Sequence, residues 1–535
     1  MTAHTHNRPV TGLTATTDAT DRAEVLANTA AVQRAVDAAA GAGGGFVDVP
    51  NGTYSIVTID LRSGVLLRLA PNAVLRAWGD VNDYPEPPDD DSVAEANGRT
   101  KNRDAGRIDF VRAHGCSRTG IVGTGTIDGN GFAFWDRPLR ELAKEGHTKE
   151  SLGLPSHWED DSPFWRQHER RVSPLVEFRD CTDVLVRDVT IASSPGWTLH
   201  LVTCDRVRVE GITIANHLYG PNTDGIDING CRDVMVHGCD LTCGDDAIIL
   251  KAFREARSCE HVTVTQCTIR THCAALGIGA EVNWPIRDVV FADCSVPKAL
   301  RILQIELWTA GLVENVTLSN VTGANMTDIP LERLVYVDVQ HHGRDDGELG
   351  HVRGILVSGL SAVTRGRIVL TAADGATIED VTLRDIDLLV LEVEDPEVSV
   401  PGSRSSQMSN DSPESRAKRA LVVADNVHRL QVSGLRVRWP DHAGRRFGAD
   451  SSAAARALRS TAEHGLDYSR ENGLGDDRRK LEAVRDDVPM GLFYLRRCEG
   501  VRIDAPFADA YGGAARIETV DTHDVREVVY GAAEA

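Results

Sequence analysis

The chain has 535 residues, 41% of them hydrophobic but only 5% aromatic, and a formal net charge of −21 at pH 7. A field of that sign repels nucleic acid and anionic membrane surfaces at long range, and no stretch approaches the roughly 18 apolar residues of a spanning helix. A core of small aliphatic side chains suits stacked layers, and a solenoid can reach this length as one unit because each repeat needs only its neighbours.

Residues 1–23 are polar and rich in Thr and read as a flexible tail. With no apolar core ahead of a small-residue cleavage site they resemble no secretion signal, so a soluble, cytoplasmic chain is expected. Asn28-Thr29 is placed to cap a helix running to about Ala40, with Val32, Ala35, Val36 and Ala39 on one face. Gly43-Gly44-Gly45 stops it, and Phe46-Val47-Asp48-Val49-Pro50 begins β structure. Such a helix would shield the open end of a strand stack from edge-to-edge association. Residues 24–535 then form one β domain with insertions near 79–107, 136–172 (carrying Trp158 and Trp165), 399–418 and 441–487. A short helix over 452–465 is expected inside the last, which reads as a lid or a partner surface.

Segments opening at Cys181, Cys204, Cys231, Cys259, Ile286 and Val313 follow one another at 23, 27, 28, 27 and 27 residues. Positions three, five, eight and ten after each start are apolar, as in Val207, Val209, Ile212 and Ile214; Gly323 is the exception. Steps of two, three and two describe two short strands with a bend between them. A period of this length with strand alternation and no helical pattern predicts an all-β parallel β-helix. The same register stacks Cys181, Cys204, Cys231 and Cys259, and separately Cys239, Cys267 and Cys294, as buried reduced thiols. An odd total of eleven argues against a disulfide framework, and no zinc-ligand spacing occurs.

Chemistry concentrates in Asn222-Thr223-Asp224-Gly225-Ile226-Asp227 and Cys243-Gly244-Asp245-Asp246-Ala247-Ile248. Counting fifteen residues from the segment starts puts Asp246, Ala274, Arg301 and Asp328 in one column, with Asp224 close to it. Asp245 and Asp246 are neighbours and can share a face only if the backbone bends, which Gly244 permits. Carboxylates packed within about 5 Å cannot all ionise, so one stays protonated beside ionised bases. That division of labour suits acid/base cleavage of a glycosidic bond. Two other readings stand at this point: polar turns of a repetitive protein, or a calcium site on Asp224, Asp245 and Asp246. His200 and His217 flank the same region as groove or packing residues. Trp197 is either a sugar platform or a packing residue, and Glu281 either a groove carboxylate or a solvated coil corner.

At these residues the chain resembles the polygalacturonase-type glycoside hydrolases of family 28. Their Asn-Thr-Asp-Gly stands here as Asn222-Thr223-Asp224-Gly225 and their Gly-Asp-Asp as Gly244-Asp245-Asp246; Ser194-Pro195-Gly196-Trp197-Thr198-Leu199-His200 and Gly125-Thr126-Ile127-Asp128-Gly129 also look like the family. The resemblance implies a right-handed parallel β-helix that needs no metal or organic cofactor. It implies Asp245 as general acid, and Asp224 with Asp246 as the pair activating water, with inversion. The substrate-binding candidates are Asn222, His200, His217, His272, Arg301, Trp197 and Glu281, of which the family pattern bears on Arg301 and, if the coil is irregular there, His272. Two departures stand out. The family histidine falls at Cys273 or Ala274, leaving His272 one or two positions off, and the lysine of its Arg-Ile-Lys is Leu303 beside Arg301-Ile302. The second points away from galacturonan, toward a neutral or mixed glycan. The expected partner is an oligosaccharide or glycoside, attacked from one end, with a homo-oligomer left open. A non-catalytic carbohydrate-binding β-helix and a lyase or glycosyl transferase on the same scaffold are the rival readings.

Overall fold

A computed structural model describes residues 7–15, 21–85, 108–137, 142, 145–148, 150–152, 166–167, 170–325, 333–340, 347–364, 367–390, 419–439, 489–504 and 509–528. Trp158, Trp165, Asp328, the 399–418 and 441–487 insertions with the 452–465 helix, and 86–107 of the first insertion lie outside those residues. Among the described residues, no helix is long and apolar enough to cross a membrane. Two compact units are distinguished: Met1–Asp136, Arg166–Thr271 and Glu281–Val290 form the first, and the remainder forms the second.

The first unit opens on the helix Arg22–Gly41, capped by Asp21, whose Oδ1 accepts the Ala23 N–H at 2.8 Å. The expected start at Asn28-Thr29 is therefore corrected by seven residues, from an Asn28 cap to an Asp21 cap. Asn28 is buried within the helix and exchanges two hydrogen bonds with the Thr14 backbone, at 2.8 and 3.0 Å. The tail is corrected as well. Asn7–Pro9 pairs in parallel with Phe46–Asp48, because the first strand of the stack has an open edge whose backbone groups need partners. The apolar face of the helix, Val25, Ala31, Val32, Val36 and Ala39, is buried, and the helix packs on Gly45–Val49 and Gly52–Ile56.

Beyond it the unit climbs in parallel coils. One ladder runs Ile59–Asp60, Val111–His114, Val176–Arg179, Leu199–Val202, Ile226–Asn229 and Ile248–Ala252, each strand hydrogen-bonded to the next. A second wall holds the paired short strands of the repeat: Thr182 pairs with Asp205, Asp205 with Arg232 and Arg232 with Glu260, at the offsets the sequence period predicts. The three-residue step is a corner in left-handed conformation, at Asp188 (φ 63°), Gly211 (62°), Gly238 (64°) and Gln266 (56°). A second such corner stacks Asp183, Arg206, Asp233 and His261. Asp, Asn and Gly tolerate this region best, which is why turn residues recur at fixed phase. Val184, Val207, Val234 and Val262 point inward between these corners and are 0–2% exposed.

The second unit repeats the plan. Arg301–Leu307, Arg333–Val339, Arg367–Ala372, Ala420–Asp425, Gly491–Arg496 and Ile517–Val520 pair in sequence. Opposite them, Leu312–Asn325, His351–Thr364 and Thr377–Val390 are longer strands that keep the left-handed corners, at Asn315 and Asn320 and at Asp380 and Asp385. Ala274 does pair with Arg301, but the next rung partner is Arg333 rather than Asp328, because the period lengthens there. The architecture is a parallel β-helix, and all eleven cysteines are buried, with no disulfide between them.

Candidate active site

Two loops of adjacent coils in the first unit carry the acidic signatures. Ile226 pairs with Ile248, and Asp224 and Asp246 each stand two residues before that pair, so they share one face on neighbouring rungs. Their backbones are joined directly: Gly225 N–H donates to the Asp246 carbonyl at 2.8 Å, and Thr198 N–H donates to the Asp224 carbonyl at 3.0 Å. Neighbouring rungs lie about 4.8 Å apart, so the backbones at the two residues are one rung spacing apart. The glycines are needed for this approach. A Cβ on Gly225 would meet the Ala247 carbonyl at 2.4 Å, and one on Gly244 would meet the Gly220 carbonyl at 2.4 Å. Gly244 N–H also donates to Thr223 Oγ1 at 3.0 Å, tying one loop to the other.

Asp245 turns beside them. Its Oδ2 accepts from Asn222 Nδ2 at 3.3 Å and its Oδ1 from the Asp246 N–H at 3.2 Å, while Thr271 Oγ1 donates to its carbonyl. A carboxylate oxygen of Asp245 and one of Asp246 lie within 4.8 Å of each other. Asp224, Asp245 and Asp246 are 4, 4 and 8% exposed, so their charges are poorly screened by water. Burial first, then the negative charges of Asp245, Asp227 and Asp246, hold the Asp224 carboxyl well above the usual carboxylate range. The structure thus brings Asn222 and the three aspartates together in one crowded, acid-rich wall.

A fourth acid belongs to it. Asp227 is wholly buried, neither of its oxygens has a hydrogen-bond partner among the described residues, and burial pushes its pKa up to about 8 against the opposing pull of Lys251. Sequence reasoning had the residue inside the signature but assigned it nothing; strand parity with Ile249 was the available signal. Lys251 and Glu177 were missed too. Lys251, 6% exposed, is 3.3 Å from Glu281 Oε2 and 5.5 Å from the Trp197 ring centre. Glu281 is therefore a buried ion-pair partner, not a solvated corner. His200, fully buried, donates from Nδ1 to Glu177 Oε2 at 2.9 Å and meets the Trp197 ring edge-on at 5.1 Å. It stands on the rung beside Asp227.

His217 is set differently. Its ring lies against Phe132, Trp135 and Tyr219, and its Nδ1 accepts the Tyr219 N–H at 3.2 Å, so burial in that aromatic group keeps it neutral. Phe132 is the exposed member of the group. His272 and Arg301 belong to the second unit. His272 is 1% exposed; Arg301, 2% exposed, donates to Gln304 Oε1 at 2.7 Å and lies 4.9 Å over the Tyr336 ring. Asp109, His114 and Glu177 gather as a potential ligand set in the first unit. Glu177 is already held by Arg179 at 2.8 Å and by His200, however, so they form an ion-pair network.

Residues 92–400 match the model of the family described as glycosyl hydrolases family 28. A probable polygalacturonase of Arabidopsis thaliana is 22% identical over 309 residues, which cover 56% of this chain and 62% of that one. A probable polygalacturonase of Vitis vinifera is 28% identical over 261 residues, 47% of each. The chain thus spans between 47 and 62% of the length of these two relatives. Among solved structures, the exopolygalacturonase of Thermotoga maritima superposes with a TM-score of 0.52 at 23% identity, covering 68% of this chain and 83% of its own. The family 28 exopolygalacturonase of Yersinia enterocolitica gives 0.55 at 15%, covering 98 and 78%. At these identities the structures speak for the fold alone, a parallel β-helix, while the family model spans most of the coils and both acidic signatures: the chain belongs to glycosyl hydrolases family 28.

Proposed function

We propose that the chain hydrolyses an O-glycosidic bond of an oligosaccharide by a single displacement with inversion. The observation that supports it best is the placing of Asp224 and Asp246 on neighbouring rungs with Asp245 beside them, all buried. Crowded carboxyls separate their protonation states. In this reading Asp245 gives its proton to the leaving oxygen, and Asp224, whose carboxyl is held above the usual range by burial and crowding, must ionise before it acts as a base. Asp224 and Asp246 take the proton of a water that attacks the anomeric carbon from the opposite side. Asn222 orients the acid by donating to its Oδ2. Trp197, half-buried with Lys251 over one face, supports a sugar ring.

The substrate class follows from the cations. The sequence carries Leu303 where the family pattern has a lysine, and Lys251, beside the acids, is already paired with Glu281. A uronate-specific site is therefore less well supplied than a neutral or mixed glycan site. Attack from the chain end is part of the proposal and rests on the long insertions of the sequence. The direct test is a panel of aryl glycosides and plant oligosaccharides, with the anomeric configuration of the nascent product read by NMR. Inverted product that disappears in Asp245→Asn supports the reading. Binding without turnover by the wild type, or an unsaturated product, would replace it with a sugar-binding protein or a lyase. Release of single sugar units rather than mixed fragments distinguishes exo from endo action.

A further inference from the structure

Lys251 has no role in the proposed acid/base steps, yet it brings a positive charge to bear on the acidic wall. It stands on Ile248–Ala252, one rung from Asn229 and two residues from the partner of Asp227. Its side chain is largely withdrawn from water: it is 6% exposed, and its Nζ lies 3.3 Å from Glu281 and 5.5 Å from the Trp197 ring centre. Trp197 is itself fixed by the edge of His200 at 5.1 Å and by Phe253 at 6.3 Å. A buried ammonium keeps its charge only where carboxylates face it. Glu281 faces Lys251 directly, and the negative charges of Asp227, Asp224 and Asp246 act on it as well. Asp245 adjoins the last two, His200 is tied to Glu177, and the Cys243 thiol is kept neutral by burial among the same acids. The attraction is mutual: the same ammonium opposes protonation of Asp224 and Asp227.

We propose that Lys251 is a positioning residue for the hydrolysis: anchored between Glu281 and the face of Trp197, its ammonium is the fixed positive charge that lets Asp224 and Asp246 lose their protons and act as bases. Glu281 holds the ammonium in place and at the same time competes with the bases for it. This rests on the assignment of Asp224 and Asp246 as the bases.

The test is the pH dependence of kcat/KM, whose acidic limb reports the bases of the free enzyme. Lys251→Met should move that limb upward by about one pH unit. Lys251→Arg should return it toward the wild-type position, and Glu281→Gln should move it downward. Opposite displacements by two members of one ion pair are not what loss of packing produces. A folded Lys251→Met with an unmoved acidic limb, or Lys251 and Glu281 variants that shift it in the same direction, would overturn the proposal. Should Lys251→Met fail to fold, Lys251→Arg and Glu281→Gln carry the comparison. Infrared titration of the protonated-carboxyl band that Asp224→Asn removes gives the same reading without substrate. Its midpoint should rise in Lys251→Met and fall in Glu281→Gln. Those shifts in a protein that turns over no glycoside would sink the hydrolase reading and leave the electrostatic role standing; no shift would sink the role itself.

Discussion

At the scale of single residues, the acids divide by what surrounds them. Asp245 accepts two hydrogen bonds that fix its orientation, whereas Asp227 is governed by burial, by the charge of Lys251 and by the neighbouring acids. Asp245→Asn keeps the shape and one of the two accepted hydrogen bonds, and in the proposed mechanism it removes the proton to be donated. Turnover should fall by on the order of 10²–10⁴-fold, with the melting temperature unchanged, measured by initial rates and calorimetry. Asp227→Asn should act on stability. A carboxyl raised to about 8 in the folded protein binds its proton more tightly there than in the unfolded chain. Its contribution is thus present below the ordinary carboxylate range, near pH 4, and lost as pH rises toward 8. Denaturant titrations of wild type and Asp227→Asn should diverge across that window, the variant gaining most at the alkaline end. Asp224, Asp245 and Asp246 were legible in the sequence because they sit in short signatures with glycine. Lys251 and Glu177 were not, because each takes its meaning from a neighbour on another rung, Glu281 and His200, far away in sequence.

The coil is the next scale, and its corners carry the specification. Gly238 is left-handed at φ 64°, and a Cβ added there would meet nothing within 4 Å, so any cost of replacement is purely conformational. Gly238→Asn should be nearly neutral. Gly238→Val should cost about 1–2 kcal/mol by equilibrium unfolding, because a branched residue resists this region. Gly244 is the contrasting case. Gly244→Ala meets backbone at 2.4 Å, so it should lower both stability and activity by parting the two acidic loops. The phase of these corners explains why the period was readable from spacing alone: an inward position is apolar on every rung, and a turn residue returns each time the chain bends. The helix start was misplaced for the complementary reason. Asn28 is a good cap in isolation, but its amide is used to bind the Thr14 backbone, and Asp21 takes the cap.

Over the whole molecule, the sequence period translates into rungs until the repeat changes length. Arg301 was placed correctly opposite Ala274 and wrongly opposite Asp328, because no local signal marks where a coil grows; Arg333 takes that rung. The thiols test the stacking globally. Cys204 N–H lies 3.3 Å from Cys231 Sγ and Cys116 N–H lies 3.4 Å from Cys181 Sγ, so within one column the sulfur of a rung meets the backbone of the rung before it. All eleven should resist a thiol reagent in the native protein and react together on unfolding, and a reductant should leave the melting temperature where it is. A different hazard follows for the nascent chain. Until the coils close, those sulfurs are exposed neighbours of one another, and an oxidant met at that stage would rivet successive turns together before they had found their seats. The finished protein is indifferent to air; its assembly line is not.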